Sequence, residues 1–515
     1  MLRGLWRRGT PLARLLILLV AAQAALFGAV ILASYRWEYE HDTPLLQYAG
    51  LLMSKFGMVP YRDFFETSMP GVFFFHAAIV RFLGPGSLAF VLVTHVFLAI
   101  LLVVAWLTVA TIDELAATAF VIWFGLFYLA GGPSVILQRD GLGLLPIICA
   151  FCLVARRTPH SRTLRAVLIG VFSGVAALVK PHLAIGGAIV LVIDLGLQDG
   201  QQRESILTTF GSTIALAGVG FSVPISLTAL WLFRNDAFAP FVELVTKYLP
   251  LHVQQDTNHV FRLPSDRFRY VLTRGVHLAN NWPFIPSLLV GVTFAFSRYF
   301  EAGRRRLAIG VAILTLYYAG YPMLTGQFWA YHFMPFFFFL LMTLSLLVGP
   351  ILEAKSISGT TVTYFLALTI AMLGTLGKDF QQPVFAANKA QSGIVGRMEP
   401  ALAEVWTPGQ TIQPIDWTNG TIHTMLRLGA RIGTPFFYDY HFHHNVSNPF
   451  IQQLRVRYIT AFTVNRPDVV IRAAQYPQPS GVDTDRVFPE LDAILQANYC
   501  AVTQDPEFTI YKRCR

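Results

Sequence analysis

Apolar runs long enough to cross a lipid bilayer recur through the first three quarters of this sequence. A transmembrane helix needs about 20 consecutive, mostly apolar residues. Hydrophobic residues make up 54% of the 515 residues and charged residues only 13%, and the mean hydropathy is +0.53. This composition predicts a mainly α-helical, polytopic membrane protein with about eleven spans. The predicted spans are 15–35, 87–111, 116–130, 141–155, 166–179, 183–197, 206–233, 282–299, 307–323, 333–352 and 361–377.

Arginine clusters between the apolar runs predict how the chain is oriented. Lysine and arginine in short loops stay in the cytoplasm, so the net charge of +10 is an orientation signal and no nucleic-acid partner is predicted. The first apolar run is too long for a signal peptide and lacks a clear cleavage site, so we expect it to be retained, with the N-terminus in the cytoplasm. Alternating crossings then place three clusters in the cytoplasm: Arg3, Arg7, Arg8 and Arg14; Arg156, Arg157, Arg162 and Arg165; and Arg304, Arg305 and Arg306.

The same alternation places four hydrophilic segments on the outer side. They are 38–75, 234–281, 325–332 and everything after Lys378. The predicted organisation is therefore a transmembrane domain at 1–377, whose first outer loop is 36–86, followed by an extracytoplasmic domain at 378–515.

The polar tail alternates short apolar runs with helical patterns, which predicts a small α/β domain. Strands are predicted at 411–416, 435–439, 468–472 and 499–503, and helices at 421–431, 449–462 and 489–497. Cys500 and Cys514 lie at the two ends of a predicted hairpin, so a disulfide is expected in an oxidising compartment. The run HFHH at 441–444 has no accompanying ligand pattern beyond Asp439, which favours a surface loop over a metal site.

The first outer loop carries carboxylates before and between two predicted interfacial helices. Asp42 precedes the first helix, which Thr43 and Pro44 begin and whose wide apolar face suits the membrane interface. After a turn that carries Asp63 and Glu66, the second helix opens at Met69-Pro70-Gly71 and runs to Arg81. An interfacial helix and a turn can return these three acidic side chains to one neighbourhood.

Two segments carry a resemblance to a known family. The turn reads GMVPYRDFFETSMPG at 57–71, and a second segment reads GQFWAYHFMP at 326–335, just before a predicted span. Together with an acidic residue directly after the first span, they resemble the C-type glycosyltransferases, which include protein O-mannosyltransferases and lipid A aminoarabinose transferases. These multispanning enzymes take sugars from polyprenyl phosphates. The layout agrees over the membrane part, whereas the residues agree in these two segments.

The resemblance implies roles for individual residues. Asp42 matches the acidic residue assigned as catalytic base or site organiser, Glu66 matches a motif glutamate, and Asp63 is a further catalytic candidate. Thr67 stands where the family has a lysine that meets the lipid phosphate, and Gln327 replaces another lysine. Substrate binding therefore falls to other candidates: Arg62, Arg139, Lys180, Tyr331 and His332. Where the family often has two acidic residues, this chain has Asp42-Thr43. The requirement for a divalent cation such as Mg²⁺ or Mn²⁺ is therefore left open.

The expected activity is transfer of a sugar, with inversion, from a polyprenyl-phosphate donor to an envelope lipid, glycan or protein on the outer face of a bacterial inner membrane. A carboxylate would take the proton of the attacking hydroxyl, and cations would stabilise the departing phosphate. Alternatives are an oligosaccharide ligase or polymerase, a transporter or flippase of envelope glycolipids, and a noncatalytic membrane scaffold. Arg139, Asp140 and Lys180 could equally pair with one another, and Tyr331 could be an interface-belt tyrosine.

Overall fold

The computed structural model describes residues 9–40, 42–158, 161–197, 206–252, 263–274, 284–374, 393–416, 420–473, 483–485 and 487–514. Most of these residues are helical, as predicted. Among them, six helices are long and apolar enough to cross a membrane: Pro11–Ser34, Ser87–Val109, Arg162–Val179, Phe210–Arg234, Ala302–Thr325 and Tyr331–Glu353. Shorter apolar helices are Pro70–Leu83, Glu114–Ala130, Pro181–Gly196, Ile285–Ala295 and Gly359–Leu373. The chain is an integral membrane protein.

Several predicted spans are interrupted or shortened. The predicted span 141–155 is divided between Arg139–Leu142 and Leu144–Ala155. The long helical stretch Tyr331–Glu353, which corresponds to the predicted span 333–352, contains a turn at 346–347 between Met334–Ser345 and Val348–Glu353. The remaining helices that lie before the C-terminal sheet are Thr43–Phe56, Phe238–Glu243, Leu249–His252, Pro264–Arg274 and Ile394–Val405, with a π-helical turn at Leu244–Tyr248.

The chain packs into two compact units. The first unit comprises Met1–Tyr35, Leu92–Leu227 and Leu263–Ala386, and the second comprises Arg36–Val91, Thr228–Arg262 and Ala387–Arg515. The second unit thus combines most of the predicted first outer loop with the C-terminal α/β region. The division predicted at 377/378 follows membrane crossings instead of packing, and it stays a prediction.

Close helix packing in the first unit depends on glycine. The helices Arg162–Val179 and Ile206–Arg234 cross where Gly170 faces Ala217 and Gly220 faces Val167. A Cβ atom at either glycine would lie 2.0 Å from a backbone carbonyl oxygen of the other helix. Small residues at such crossings let two membrane helices approach and gain van der Waals contact.

The second unit contains a five-stranded mixed sheet. Its strands are β1 (Thr411–Ile415), β2 (Arg431–Ile432), β3 (Val469–Ala473), β4 (Tyr499–Gln504) and β5 (Phe508–Arg513), arranged in the order β2-β1-β3-β5-β4. β1 pairs in parallel with β2 and β3, whereas β5 pairs antiparallel with β3 and β4. Helices Thr421–Leu428, Pro449–Asn465 and Pro489–Asn498 complete the predicted α/β region.

The C-terminal tail differs from the prediction in one strand and one helix end, and it agrees in its disulfide. The segment 435–439 is not a strand: within it only Phe436 forms an isolated bridge, to Phe65, and a 3₁₀ turn at Tyr440–Phe442 follows directly. The helix predicted to reach Arg431 ends at Leu428, where Gly429 takes a left-handed conformation with φ of 64°. The disulfide is confirmed, since Cys500 and Cys514 are bonded with their Cα atoms 5.3 Å apart.

The predicted surface loop at 441–444 was also wrong. His441, His443 and His444 are only 1%, 4% and 6% exposed. The His441 ring meets those of Phe65 and Tyr438, the His444 ring packs on that of Tyr440, and Nε2 of His443 lies 3.4 Å from the Asp439 carboxylate. Histidine rings are packed in the interior here, so a histidine-rich sequence alone does not indicate exposure.

Candidate functional site

Asp42 lies at the N-terminus of the first helix of the outer loop. The helix Thr43–Phe56 begins with proline at its second position and ends at Gly57, whose left-handed φ of 64° lets its amide bond to the carbonyl of Leu52. The backbone carbonyl of Asp42 accepts from Leu46, while its carboxylate does not cap the helix. A helix N-terminus stabilises an ionised carboxylate through its dipole.

A tight turn follows, with Tyr61 in a strained conformation. Its φ is +70°, which is uncommon for a bulky residue and recurs at functional sites. The turn is closed by hydrogen bonds from the Tyr61 amide to the Phe64 carbonyl (2.8 Å) and from the Asp63 amide to the Val59 carbonyl (2.9 Å). The Tyr61 hydroxyl donates to the Ser68 carbonyl at 2.7 Å. Tyr61 was not among the predicted site residues, although it lies within the recognised motif.

Arg62 and Asp63 form a two-pronged ion pair on this turn. The guanidinium donates to both carboxylate oxygens, at 2.9 and 2.8 Å, and its third nitrogen donates to the carbonyl of Asn235 at 3.0 Å. Asp63 also accepts from the Val59 amide at 2.7 Å. Partial burial raises the pKa of Asp63, but the Arg62 and Val59 hydrogen bonds outweigh it and hold that pKa below its usual value. The side chains of Arg62 and Asp63 therefore stabilise the turn.

Glu66 is buried, with 3% of its surface exposed. Its carboxylate accepts from the Ser68 amide at 2.7 Å and from the Thr67 hydroxyl at 3.3 Å. Among the described residues, no cation forms a salt bridge with it. Thr67, which replaces the family's lysine, thus acts locally as a hydrogen-bond donor to its neighbour.

In the first unit, a second group of side chains converges on Asp140. This carboxylate is fully buried and accepts from the Lys180 ammonium at 2.9 Å on each oxygen and from the Tyr321 hydroxyl at 2.7 Å. The Nε2 atom of His332 lies 3.8 Å from the same carboxylate. Lys180 also lies over the Tyr321 ring, 5.2 Å from its centroid.

The remaining candidates of the first unit surround this cluster. The His332 Nδ1 atom lies 3.1 Å from the Gln327 carbonyl, which can only accept, so this nitrogen carries a proton. The Tyr331 ring packs against the His332 ring with centroids 4.6 Å apart. Arg139 precedes Asp140 and is close enough for its charge to act on Lys180 and His332. Asp140 thus binds Lys180 directly and lies beside His332, while Arg139 and Tyr331 are the chain neighbours of Asp140 and His332.

The predicted site residues fall into two groups, one in each unit. Arg139, Lys180, Tyr331 and His332 belong to the first unit, and Asp42, Arg62, Asp63 and Glu66 to the second. The pairing of Lys180 with Asp140 was one of the alternatives left open by the sequence. The contribution of Tyr321 was missed, because nothing in the sequence around it distinguishes it from other tyrosines of apolar helices.

The structure does not test the expectation of a divalent cation. Over the described ranges, no group of three or more His, Cys, Asp or Glu side chains is arranged so that it could hold a metal ion. The dependence on Mg²⁺ or Mn²⁺ stays a prediction.

Comparison with known proteins identifies the fold. No protein-family profile and no curated protein matches the sequence. Two solved structures of ArnT from Cupriavidus metallidurans match with a TM-score of 0.55 each. The apo structure is 13% identical and the match covers 98% of both chains, while the structure bound to undecaprenyl phosphate is 12% identical, with 96% of this chain and 97% of that one covered. Over nearly its whole length this chain therefore has the fold of ArnT, a C-type glycosyltransferase, and the resemblance found in the sequence is confirmed at the level of the fold.

Proposed function

We propose that this protein is an inverting glycosyltransferase that moves a sugar from a polyprenyl-phosphate donor to an envelope lipid, glycan or protein. The observation that carries the proposal is the near-complete coverage of the ArnT fold, including a structure bound to undecaprenyl phosphate. Undecaprenyl phosphate is what such a donor leaves behind after its sugar is transferred. The recognised residues of the first outer loop support the same reaction.

Asp42 is the proposed general base. Its carboxylate takes the proton of the acceptor hydroxyl while that oxygen forms a bond to the anomeric carbon, and the bond from that carbon to the phosphate oxygen breaks. The phosphate leaves with the bonding electrons, and a single displacement inverts the anomeric centre. Asp42 is preferred to Asp63 and Glu66 because it lies directly after the first span, at the position of the family's leading acidic residue.

Lys180 is the proposed principal ligand of the lipid phosphate, supported by Arg139, His332 and Tyr331. Lys180 donates two of its three N–H groups to Asp140, so the ammonium is held in one place with a further N–H group to offer. A positioned cation stabilises a departing phosphate more effectively than a mobile one. Arg62 is the weaker candidate, since its guanidinium binds Asp63 and the Asn235 carbonyl.

The packing of the second unit supports the proposed topology. Arg36–Val91, Thr228–Arg262 and Ala387–Arg515 belong to one compact unit, which supports placing the hydrophilic parts of these three segments on one side of the membrane. That agrees with the alternation which places all three outside a bacterial inner membrane, with the N-terminus in the cytoplasm. The disulfide between Cys500 and Cys514 also suits an oxidising compartment.

The experiment that tests this proposal compares envelope glycolipids and polysaccharides, by mass spectrometry, between cells with and without the gene. We expect one sugar substituent to disappear on deletion and to return with the wild-type gene. Asp42→Asn should insert and accumulate normally without restoring the sugar. Glu38→Gln, which changes a neighbouring carboxylate outside the recognised motif, should restore it. Restoration by Asp42→Asn would remove Asp42 from the mechanism, and an unchanged sugar content on deletion would contradict the proposed function.

A further inference from the structure

Three separate segments of the second unit meet at Tyr248. This residue ends the π-helical turn Leu244–Tyr248, a rare geometry that is frequent at functional sites. Its side chain is fully buried, and its hydroxyl hydrogen-bonds to Nδ1 of His441 in the C-terminal α/β region. Its ring meets the ring of Phe65, from the first outer loop, edge to face at 5.1 Å.

Phe65 is held on both its side chain and its backbone. Its ring also packs edge to face against the His441 ring, with centroids 4.9 Å apart. Its amide donates to the carbonyl of Pro435 at 2.7 Å. Phe65 lies between Phe64, whose ring stacks on Phe437 at 5.1 Å, and the buried Glu66. The segment 435–441 therefore contacts two consecutive residues of the motif turn, Phe64 and Phe65.

The same C-terminal stretch also contacts the helix that begins after Asp42. The Tyr48 hydroxyl donates to the Ala430 carbonyl at 2.9 Å, and the Lys55 ammonium donates to the Gly429 carbonyl at 3.0 Å. The Tyr48 ring packs against the ring of Phe437 as well. Both parts of the first outer loop, the helix and the turn, are thus fixed by one stretch of the α/β region.

From these contacts we infer that Tyr248 and His441 are positioning residues, whose hydrogen bond holds the first outer loop in the geometry that sugar transfer requires. The inference rests on the proposed function and extends it. The C-terminal region then contributes to the geometry of the site, because it fixes the loop that carries Asp42, Asp63 and Glu66.

The sharpest test is Tyr248→Phe in the full-length protein, because it removes one oxygen atom and leaves the ring contacts with Phe65 and His441. The matched control is Tyr458→Phe, which removes the hydroxyl of another buried tyrosine of the second unit, one whose ring stacks on Phe442. Backbone amide hydrogen exchange of residues 59–66 reports the geometry of the turn. We expect exchange to accelerate on the order of tenfold in Tyr248→Phe, as for a lost buried hydrogen bond, and to stay unchanged in Tyr458→Phe.

Two further measurements separate positioning from folding. Tyr248→Phe should lower the restored sugar content of deletion cells, per amount of inserted protein, while binding of undecaprenyl phosphate to the purified protein stays unchanged. His441→Asn, whose side-chain amide can meet the Tyr248 hydroxyl where Nδ1 does, should retain more activity than His441→Ala.

Unchanged exchange in Tyr248→Phe, or equal effects of the two tyrosine variants, would overturn the inference. Faster exchange together with full sugar transfer would overturn it too, since the hydrogen bond would then be structural only. If deletion of the gene changes no envelope sugar, the proposed function fails, while the exchange measurement still decides whether the Tyr248–His441 bond holds the loop.

Discussion

Lys180 donates a hydrogen bond of 2.9 Å to each carboxylate oxygen of Asp140, and the two residues form a buried ion pair 40 positions apart in the sequence. Asp140 is fully buried and the Lys180 side chain is 13% exposed. Two such charges are expensive to bury, and each depends on the other for its compensation. The pair therefore links the proposed phosphate ligand to the stability of the first unit.

Asp140→Asn should destabilise the protein and weaken its lipid binding together. Removing one partner of a buried ion pair typically costs about 3–5 kcal/mol, because the remaining charge is left uncompensated. We expect the double variant Asp140→Asn with Lys180→Met to recover much of the thermal stability in detergent, yet still to bind undecaprenyl phosphate poorly. A double variant that binds the lipid normally would show that Lys180 is a structural residue alone.

Acid should destabilise the second unit through buried histidines. Burial, reinforced by Arg427, lowers the pKa of His423 from 6.5 to about 4. Because the folded pKa is the lower one, the unfolded chain takes up a proton between these values and the folded chain does not. The contribution of His423 to the free energy of unfolding is thus fully present above about pH 6.5. It falls by about 1.4 kcal/mol per pH unit as the pH drops toward 4.

The measurement is thermal unfolding in detergent between pH 7 and pH 5. His423→Gln cannot titrate, so its melting temperature should fall less steeply with acid than that of the wild type, even if it starts lower. Parallel pH profiles for the two proteins would show that His423 does not take part. His441, whose pKa burial also lowers, should still contribute to the slope in both proteins.

Loss of the disulfide should destabilise the hairpin of β4 and β5 without affecting sugar transfer directly. Closing a loop of this size, with 14 residues of separation, contributes about 3 kcal/mol in the chain-entropy account. Cys500→Ser should lower the melting temperature, and reductant should do the same to the wild type. Cys149→Ser is the control, because that thiol is unbonded and the variant keeps the Cys500–Cys514 bond. Reductant should therefore lower its melting temperature as much as that of the wild type. Equal melting temperatures of the wild type with and without reductant would contradict this prediction.

Local signals in the sequence were enough for the helix at 43–56 and for the alternation of β1, β3 and β4 with helices. Proline at the start and glycine at the end mark that helix, since both act within a few residues. Contacts between residues far apart in the sequence were not predictable in the same way. Tyr321 donates to Asp140 across 181 residues, and no local pattern encodes such a contact. The segment 435–439 was mistaken for a strand because two consecutive buried phenylalanines look like a strand buried on both faces.

Arg62 and Lys180 are two candidate ligands of the lipid phosphate, and substitution of each should affect lipid binding differently. Arg62→Gln should loosen the turn, since it removes two hydrogen bonds to Asp63 and one to Asn235, but it should change the affinity for undecaprenyl phosphate only slightly. Lys180→Gln should weaken that affinity on the order of tenfold or more, as expected for loss of a charge-assisted hydrogen bond. Lipid binding to the purified variants, with Arg62→Lys as the charge-preserving control, decides between them. A larger loss of affinity in Arg62→Gln, recovered by Arg62→Lys, would transfer the phosphate-binding role to the first outer loop.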